Sequence, residues 1–250
     1  MPVKDTAVCI RKVDYSDSSL ILTLFARDNG KLRLIAKGAR KTKGLAGNIE
    51  IFTLGEAVFI PAKYAESNLG TLTDFDITEK FHKIRKSWAG LNFSLCAADL
   101  LSYFVNEYQP NPELYDGFID FLNAVSTAGE LAAAKKLILF QLDMLELTGN
   151  SINISLCSAC GRNFDSGWKE AFFSETDVSL YCPDCKDKAR EAFPLKPAAV
   201  WAILERDPIG SSEDGEMIWY IEKFILKYIT CHLGKMPKTV QSLKRHFEKL

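Results

Sequence analysis

Long apolar runs are missing from this 250-residue chain. No stretch approaches the roughly 20 uninterrupted apolar residues of a membrane-spanning helix, and the most apolar regions are broken by Lys135, Lys136, Glu222 and Lys223. A membrane role is therefore not expected. Histidine is scarce: His82, His232 and His246 are the whole supply, and none sits beside a nucleophile motif. His232 falls on a largely apolar helix end, where a packed or capping ring is the expectation. The chain has no G-x-x-x-x-G-K-[ST] phosphate loop, no G-x-G-x-x-G, no H-E-x-x-H and no G-x-S-x-G. An enzyme is therefore not expected, and no catalytic residue or organic cofactor is assigned. Charge of one sign is also missing. With a formal net charge of −1, binding of a polyanion has to come from local basic surface. Internal repeats and low-complexity tracts are absent, and 47% hydrophobic residues suffice for a substantial core. Lys4, Asp5, Arg11 and Lys12 interrupt the opening residues, where a secretory signal is apolar, so a reducing cytoplasm is the expected setting.

Cysteine is what the chain does have. Four of its seven cysteines form two close pairs, Cys157-Ser-Ala-Cys160 and Cys182-Pro-Asp-Cys185, separated by 21 residues. Each pair places two thiolates on one knuckle, and two knuckles supply the tetrahedral sulfur shell of a closed structural Zn²⁺ site. Gly161 follows the first knuckle, where a turn wants positive φ. Disulfides fit a reducing compartment poorly, and a thioredoxin-like site needs only one such pair beside a βαβ pattern. Four thiolates leave no open position for substrate or water, so the metal is expected to be scaffold. Cys9, Cys96 and Cys231 fall in apolar patterns and read as buried, inert thiols.

The first 80 residues read as five strands, near 6–13, 19–26, 31–36, 56–64 and 69–77. Asp28-Asn29-Gly30 joins the second to the third, Asn-Gly being the strongest short hairpin signal. Five short strands suggest a small closed barrel. The OB type is the natural candidate at this length, and strand count alone also permits an SH3-like barrel. Helical periods follow. Ile84, Trp88, Leu91 and Leu95 are expected to form a core face, as are Leu114, Phe118, Phe121 and Leu122 in a helix over 112–124. Leu131, Ala134, Ile138, Leu142 and Leu145 form a third stripe ending at Gly149. Residues 155–188 form the zinc module, with a hairpin expected between the knuckles. A short helix over 197–206 and two C-terminal helices complete the chain, and these last are expected to return onto the 83–149 bundle. The expected architecture is α+β: a barrel at 1–80, a helical domain at 81–154 and 189–250, and a four-cysteine zinc module at 155–188 inserted in it.

Positive charge is unevenly distributed. From Lys31 to Lys43 the chain carries Lys31, Arg33, Lys37, Arg40, Lys41 and Lys43 with no acidic residue. Strand alternation turns Leu32 and Leu34 inward and leaves Lys31 and Arg33 on the outer side with the loop cations, a surface able to track a phosphate backbone. Tyr15, Phe25, Phe52 and Tyr64 are the candidate stacking rings. A second cluster runs from Lys80 to Lys86, and a third comprises Lys238, Lys244, Arg245 and Lys249.

In order, five strands, Lys37-Gly38-Ala39-Arg40-Lys41, Leu69-Gly70-Thr71-Leu72-Thr73, a helical bundle ending at Gly149 and Cys157-x-x-Cys160-Gly161 followed by Cys182-x-x-Cys185 resemble the bacterial RecO recombination-mediator family over essentially the whole chain. The resemblance implies an OB-fold DNA-binding domain, a helical domain and a zinc module. It also implies binding of single- and double-stranded DNA and annealing of complementary strands. The partners it implies are RecR, the acidic tail of single-strand binding protein and, indirectly, RecF and RecA, in a cytoplasm where the protein joins the nucleoid during repair. It carries no bond-making activity. The alternative from another class is a zinc-stabilised protein-interaction scaffold with little direct DNA binding, supported by the near-neutral charge.

Overall fold

The computed structural model describes residues 1–39, 48–62, 69–207 and 215–247, with side chains placed up to residue 244. It divides into two units, Met1–Ala128 and Gly129–Leu250.

In the first unit β1 (Val3–Asp14), β2 (Leu20–Ala26), β3 (Gly30–Ala36), β4 (Leu54–Ile60) and β5 (Gly70–Glu79) close a barrel in the order β1-β2-β3-β5-β4. All pairings are antiparallel except β3 with β5, the arrangement of an OB-like barrel. Closure depends on β1 serving two partners. Val3 to Val8 pair with β4, and a register shift between Cys9 and Arg11 bends the strand so that its second half continues along β2. Leu22, Leu24, Leu32, Leu34, Phe59 and Leu72 fill the interior. β1 begins earlier than strand propensity suggests because β4 pairs with its first residues, and β4 ends at Ile60 because Pro61 has no N–H for the ladder. In the β2–β3 hairpin only Gly30 takes positive φ, at 70°. The connection is a three-residue loop, with Ala26 opposite Gly30. Asp5 clamps it by accepting from the Asp28 N–H at 3.0 Å and Asn29 Nδ2 at 2.8 Å.

A short 3-10 helix, His82–Lys86, leads into α1 (Trp88–Phe104), and α2 (Pro112–Val125) follows. Ser87 caps α1 by accepting from the Gly90 N–H at 2.8 Å, and Asn111 caps α2, with Pro112 in its first turn. The α1 core face is not the expected one. Trp88 is 43% exposed and Leu91 and Leu95 are half-buried, whereas Phe93, Cys96, Ala97, Leu100 and Leu101 are buried. Ile84 belongs to the preceding 3-10 turn, and Ser87, with extended backbone, separates it from α1. A 3.6-residue period carried through that break sets the wrong phase. The α2 stripe holds in full: Leu114, Phe118, Phe121 and Leu122 are buried. Phe118 and Tyr115 pack on Phe25, so α2 covers the outer face of β2.

In the second unit, α3 (Glu130–Leu147) buries its expected stripe except Leu131 and stops at Gly149, whose φ is 74°. β6 (Ala171–Ser174), β7 (Ser179–Tyr181) and β8 (Ala192–Leu195) form a sheet in the order β7-β6-β8. The expected inter-knuckle hairpin is thus present, and β8 adds a third strand that short polar flanks concealed. α4 (Pro197–Leu204), α5 (Gly215–Leu233) and α6 (Lys238–Phe247) follow, with α5 packed on α3. Arg206 pairs with both Asp143 and Glu146 of α3. Among the described residues no helix is long and apolar enough to cross a membrane.

Candidate functional site

The barrel rim is the first place where chemistry-bearing residues converge. Leu20 pairs with Ala36, Ile35 with Thr71, and Thr71 with Ile60. The start of β2, the end of β3, the start of β5 and the end of β4 therefore lie side by side within about 15 Å, at roughly 4.8 Å per strand. Three connections leave from this stretch: residues 15–19, the segment opening at Lys37 and the segment opening at Pro61. Loops flanking the β2–β3 face are where OB folds hold oligonucleotides.

The six expected DNA-contacting cations are not equivalent. Leu32 and Leu34 are fully buried, so the anticipated alternation along β3 is present. Lys37 is exposed at the strand end. Lys31 is half-buried: its Nζ donates to the Ser102 carbonyl at 2.7 Å, and burial lowers its pKa, with Glu107 opposing and Arg33 adding to the shift. Arg33 stands 3.8 Å from the Glu107 carboxylate. Lys31 thus faces the end of α1 and Arg33 the α1–α2 connection, which also bridges to the β3 edge through Lys31 and Glu107. Arg40, Lys41 and Lys43 lie outside the described residues, as does Tyr64.

Two of the four candidate rings are unavailable for stacking. Phe25 is fully buried under α2, and Phe52, at φ 67°, is buried with its N–H donating to the Cys9 carbonyl at 2.7 Å. Tyr15, 59% exposed on the first rim loop, is accessible. Trp88 joins these accessible rings, against expectation. Its apolar character placed it in a core stripe, but the ring is exposed directly after Lys83 and Lys86, which are exposed as well. Arg85 of the same cluster is engaged, donating to the Ile51 carbonyl at 2.6 Å.

The second place is the cysteine cluster. The Sγ atoms of Cys157, Cys160, Cys182 and Cys185 all lie within 4.8 Å of one another. A sulfur shell at about 2.3 Å from a tetrahedral ion has edges a little under 4 Å, and Cys160 Sγ to Cys182 Sγ is 3.9 Å. Local backbone geometry builds both knuckles. The Gly161 N–H donates to the Cys157 carbonyl at 2.9 Å with Gly161 at φ 73°, and the Cys157 N–H donates to the Arg162 carbonyl at 2.8 Å. The second knuckle opens a 3-10 helix, Pro183–Lys188, where the Cys185 N–H donates to the Cys182 carbonyl at 3.0 Å. Arg162 pairs with Asp184 at 3.0 Å and ties the knuckles together.

Three of the four thiols are buried and Cys160 is exposed. Burial raises the Cys157 thiol, but N–H donors from Cys182, Cys160 and Ala159 outweigh it and bring the pKa down to about 6. Cys185 is pushed up to about 12 by burial and by the neighbouring cysteines Cys182, Cys160 and Cys157. Four thiolates so close repel unless a cation sits among them, and the donor set fits a closed metal site. Of the other cysteines, Cys9 and Cys96 are buried as expected, with burial raising Cys9 to about 12, whereas Cys231 is only half-buried.

Comparisons with known proteins agree across both units. The family model described as recombination protein O N terminal matches residues 1–81, and that described as recombination protein O C terminal matches residues 88–241. A DNA repair protein RecO of Rhodopirellula baltica is 29% identical over 72% of the chain and 66% of its own length. One from Listeria monocytogenes serotype 4b is 27% identical over 96% of the chain and 93% of its own length. Another, from Desulfatibacillum aliphaticivorans, is 27% identical over 98% and 99%. With the OB-like barrel, the cysteine cluster and these matches in hand, the chain belongs to the RecO family of DNA repair proteins.

Proposed function

We propose that this protein is a recombination mediator without bond-making activity. It binds single- and double-stranded DNA, anneals complementary strands, and with RecR helps load RecA on gaps coated by single-strand binding protein. The observation that carries this reading is the cationic segment leaving β3 where three rim loops of an OB-like barrel converge, in a member of this family. Lys37, Arg40, Lys41 and Lys43 displace condensed counterions from phosphates, and rim rings such as Tyr15 stack on bases without reading sequence. Lys31 and Arg33 extend the same surface from behind, because Lys31 is held by the Ser102 carbonyl of α1 and Arg33 by Glu107 in the α1–α2 connection. Residues 1–80 act as the DNA-binding domain. The helical domain (81–154 and 189–250) and the inserted module (155–188) present surfaces for RecR, for the acidic tail of single-strand binding protein and, indirectly, for RecF and RecA in the cytoplasm.

The ion held by the four cysteines is Zn²⁺, which suits all-thiolate tetrahedral ligation and stabilises the module when bound. The test of the DNA reading is the salt dependence of oligonucleotide binding. If four cations contact a single strand, log Kobs against log salt has a slope near −2.8, about 0.7 for each contact. Replacing Lys37, Arg40, Lys41 and Lys43 by alanine should flatten that slope and weaken binding with the fold intact. Unchanged affinity and slope would place the DNA path elsewhere. A protein that binds no DNA would instead be the zinc-stabilised scaffold.

A further inference from the structure

Annealing needs two strands held at once, and the rim accounts for one. A second set of cations and an exposed ring occurs at the other end of β5. β5 meets the rim at Gly70 and Thr71 and runs to Glu79, and the 3-10 helix His82–Lys86 and Trp88 follow directly. The rim and this second set thus lie beyond opposite ends of β5, whose span from Thr71 to Glu79 is roughly 25 Å at about 3.3 Å per residue.

The 3-10 geometry arranges this second set. At three residues per turn, positions three apart eclipse, so Lys83 and Lys86 stand one above the other while Ile84, fully buried, anchors the turn to the core. Two ammonium groups stacked this way repel. Neither lysine takes part in an ion pair among the described residues, and Glu79 acts on Lys83 only weakly from a distance. The nearest carboxylate in sequence, Glu79, accepts from the Phe81 and Lys80 N–H groups at 2.7 and 2.8 Å, and its pKa is lowered first by these bonds and only lastly by His82 and Lys83. His82 is exposed beside them. Trp88 supplies the ring. It is 43% exposed, and its orientation is set by an edge-on contact with the fully buried Phe93 at 6.0 Å. An anchored, accessible indole beside exposed cations without an ion-pair partner is the arrangement that holds single strands by stacking and phosphate contact together.

We infer that Lys83, Lys86 and Trp88 form a second single-strand nucleic-acid site, separate from the barrel rim, that holds the complementary strand during annealing. This rests on the DNA-binding reading above and extends it. The experiment compares the wild-type chain with K83A/K86A, K83E/K86E, W88A, W88F and the fourfold rim variant. Anisotropy of a labelled oligo(dT) reports first-strand binding, and a complementary-strand assay reports annealing. Both lysines are exposed, so their substitution leaves the core untouched, and W88F keeps the edge-on contact should W88A perturb α1.

The expected result is first-strand affinity within about twofold of wild type for K83A/K86A and annealing slowed about tenfold. K83E/K86E should slow it further, and W88A more than W88F. Annealing at the wild-type rate in both lysine variants overturns the inference while leaving the rim reading intact. Loss of first-strand binding as large as in the rim variant makes the two sets one path and also overturns it. Wild-type protein that binds DNA without annealing it overturns the second site and the annealing part of the functional reading while leaving DNA binding at the rim standing, and wild-type protein that binds no DNA overturns the functional reading and this inference together.

Discussion

Gly30 shows how one residue can hold the barrel to its helices. Its φ of 70° is open to glycine at little cost, and a Cβ placed there would lie 2.1 Å from the Gln109 carbonyl oxygen, inside backbone that cannot yield. Close approach at this point lets the α1–α2 connection reach the β3 edge, where the Tyr108 N–H donates to the Lys31 carbonyl at 3.1 Å. Gly30→Ala should therefore destabilise the protein by about 3 kcal/mol, from left-handed strain and backbone clash together, read as a lowered urea midpoint. Gly38→Ala is the control: its φ is similar, at 68°, but no described residue lies near its missing Cβ, so the cost should be confined to backbone strain. The hairpin signal was legible in Asp28-Asn29-Gly30; the reason the glycine cannot be replaced was not, because Gln109 is remote in sequence.

Between elements, the notable polar contact is the one joining α3 to α5. Gln141 and Glu222 are both fully buried, and Gln141 Nε2 donates to Glu222 Oε1 at 3.0 Å. The Gln141 Oε1 and Glu222 Oε2 atoms have no hydrogen-bond partner among the described residues, and a proton on the carboxyl is the donor that this pair of oxygens lacks. Burial raises the Glu222 pKa to about 8, with the Gln141 bond opposing and no neighbouring charge contributing. The folded protein thus holds a proton that the unfolded chain releases near pH 4.5. The stabilisation from Glu222 is fully present below pH 4.5 and is lost as pH rises to about 8. Chemical denaturation between pH 5 and pH 9 should show that decline in the wild type and a flatter profile in Glu222→Gln; parallel profiles would mean that Glu222 does not carry the proton. In the sequence Glu222 looks like a charge interrupting an apolar helix, and only the packing of α5 on α3 makes it a buried acid.

For the whole molecule, the cysteine cluster and the barrel contribute differently. Structural zinc in small peptides contributes about 10–16 kcal/mol of apparent binding energy, so its removal is expected to open the knuckles and the β6–β8 sheet built around them. Hydrogen exchange of the full chain after treatment with a chelator should show protection lost over residues 155–195 and kept in the five barrel strands. Loss of protection in the barrel as well would make the metal a support for both units. Metal analysis of carefully purified protein should return one zinc per chain.

Much of this organisation is local and was therefore readable from the sequence. Cys-x-x-Cys spacing defines a knuckle because three residues fix the turn, Pro112 and Gly149 mark helix ends, and alternation along β3 orients Leu32 and Leu34. Those signals were enough for five strands, a helical region and a four-sulfur cluster, and for the family resemblance. Tertiary structure decided what depends on contacts between distant residues. Phe25 is core because α2 lies over it, Lys31 is engaged because Ser102 reaches it, and Trp88 is surface because a 3-10 turn breaks the helical phase before it. Periodicity states which residues share a face, whereas burial depends on what the rest of the chain brings to that face.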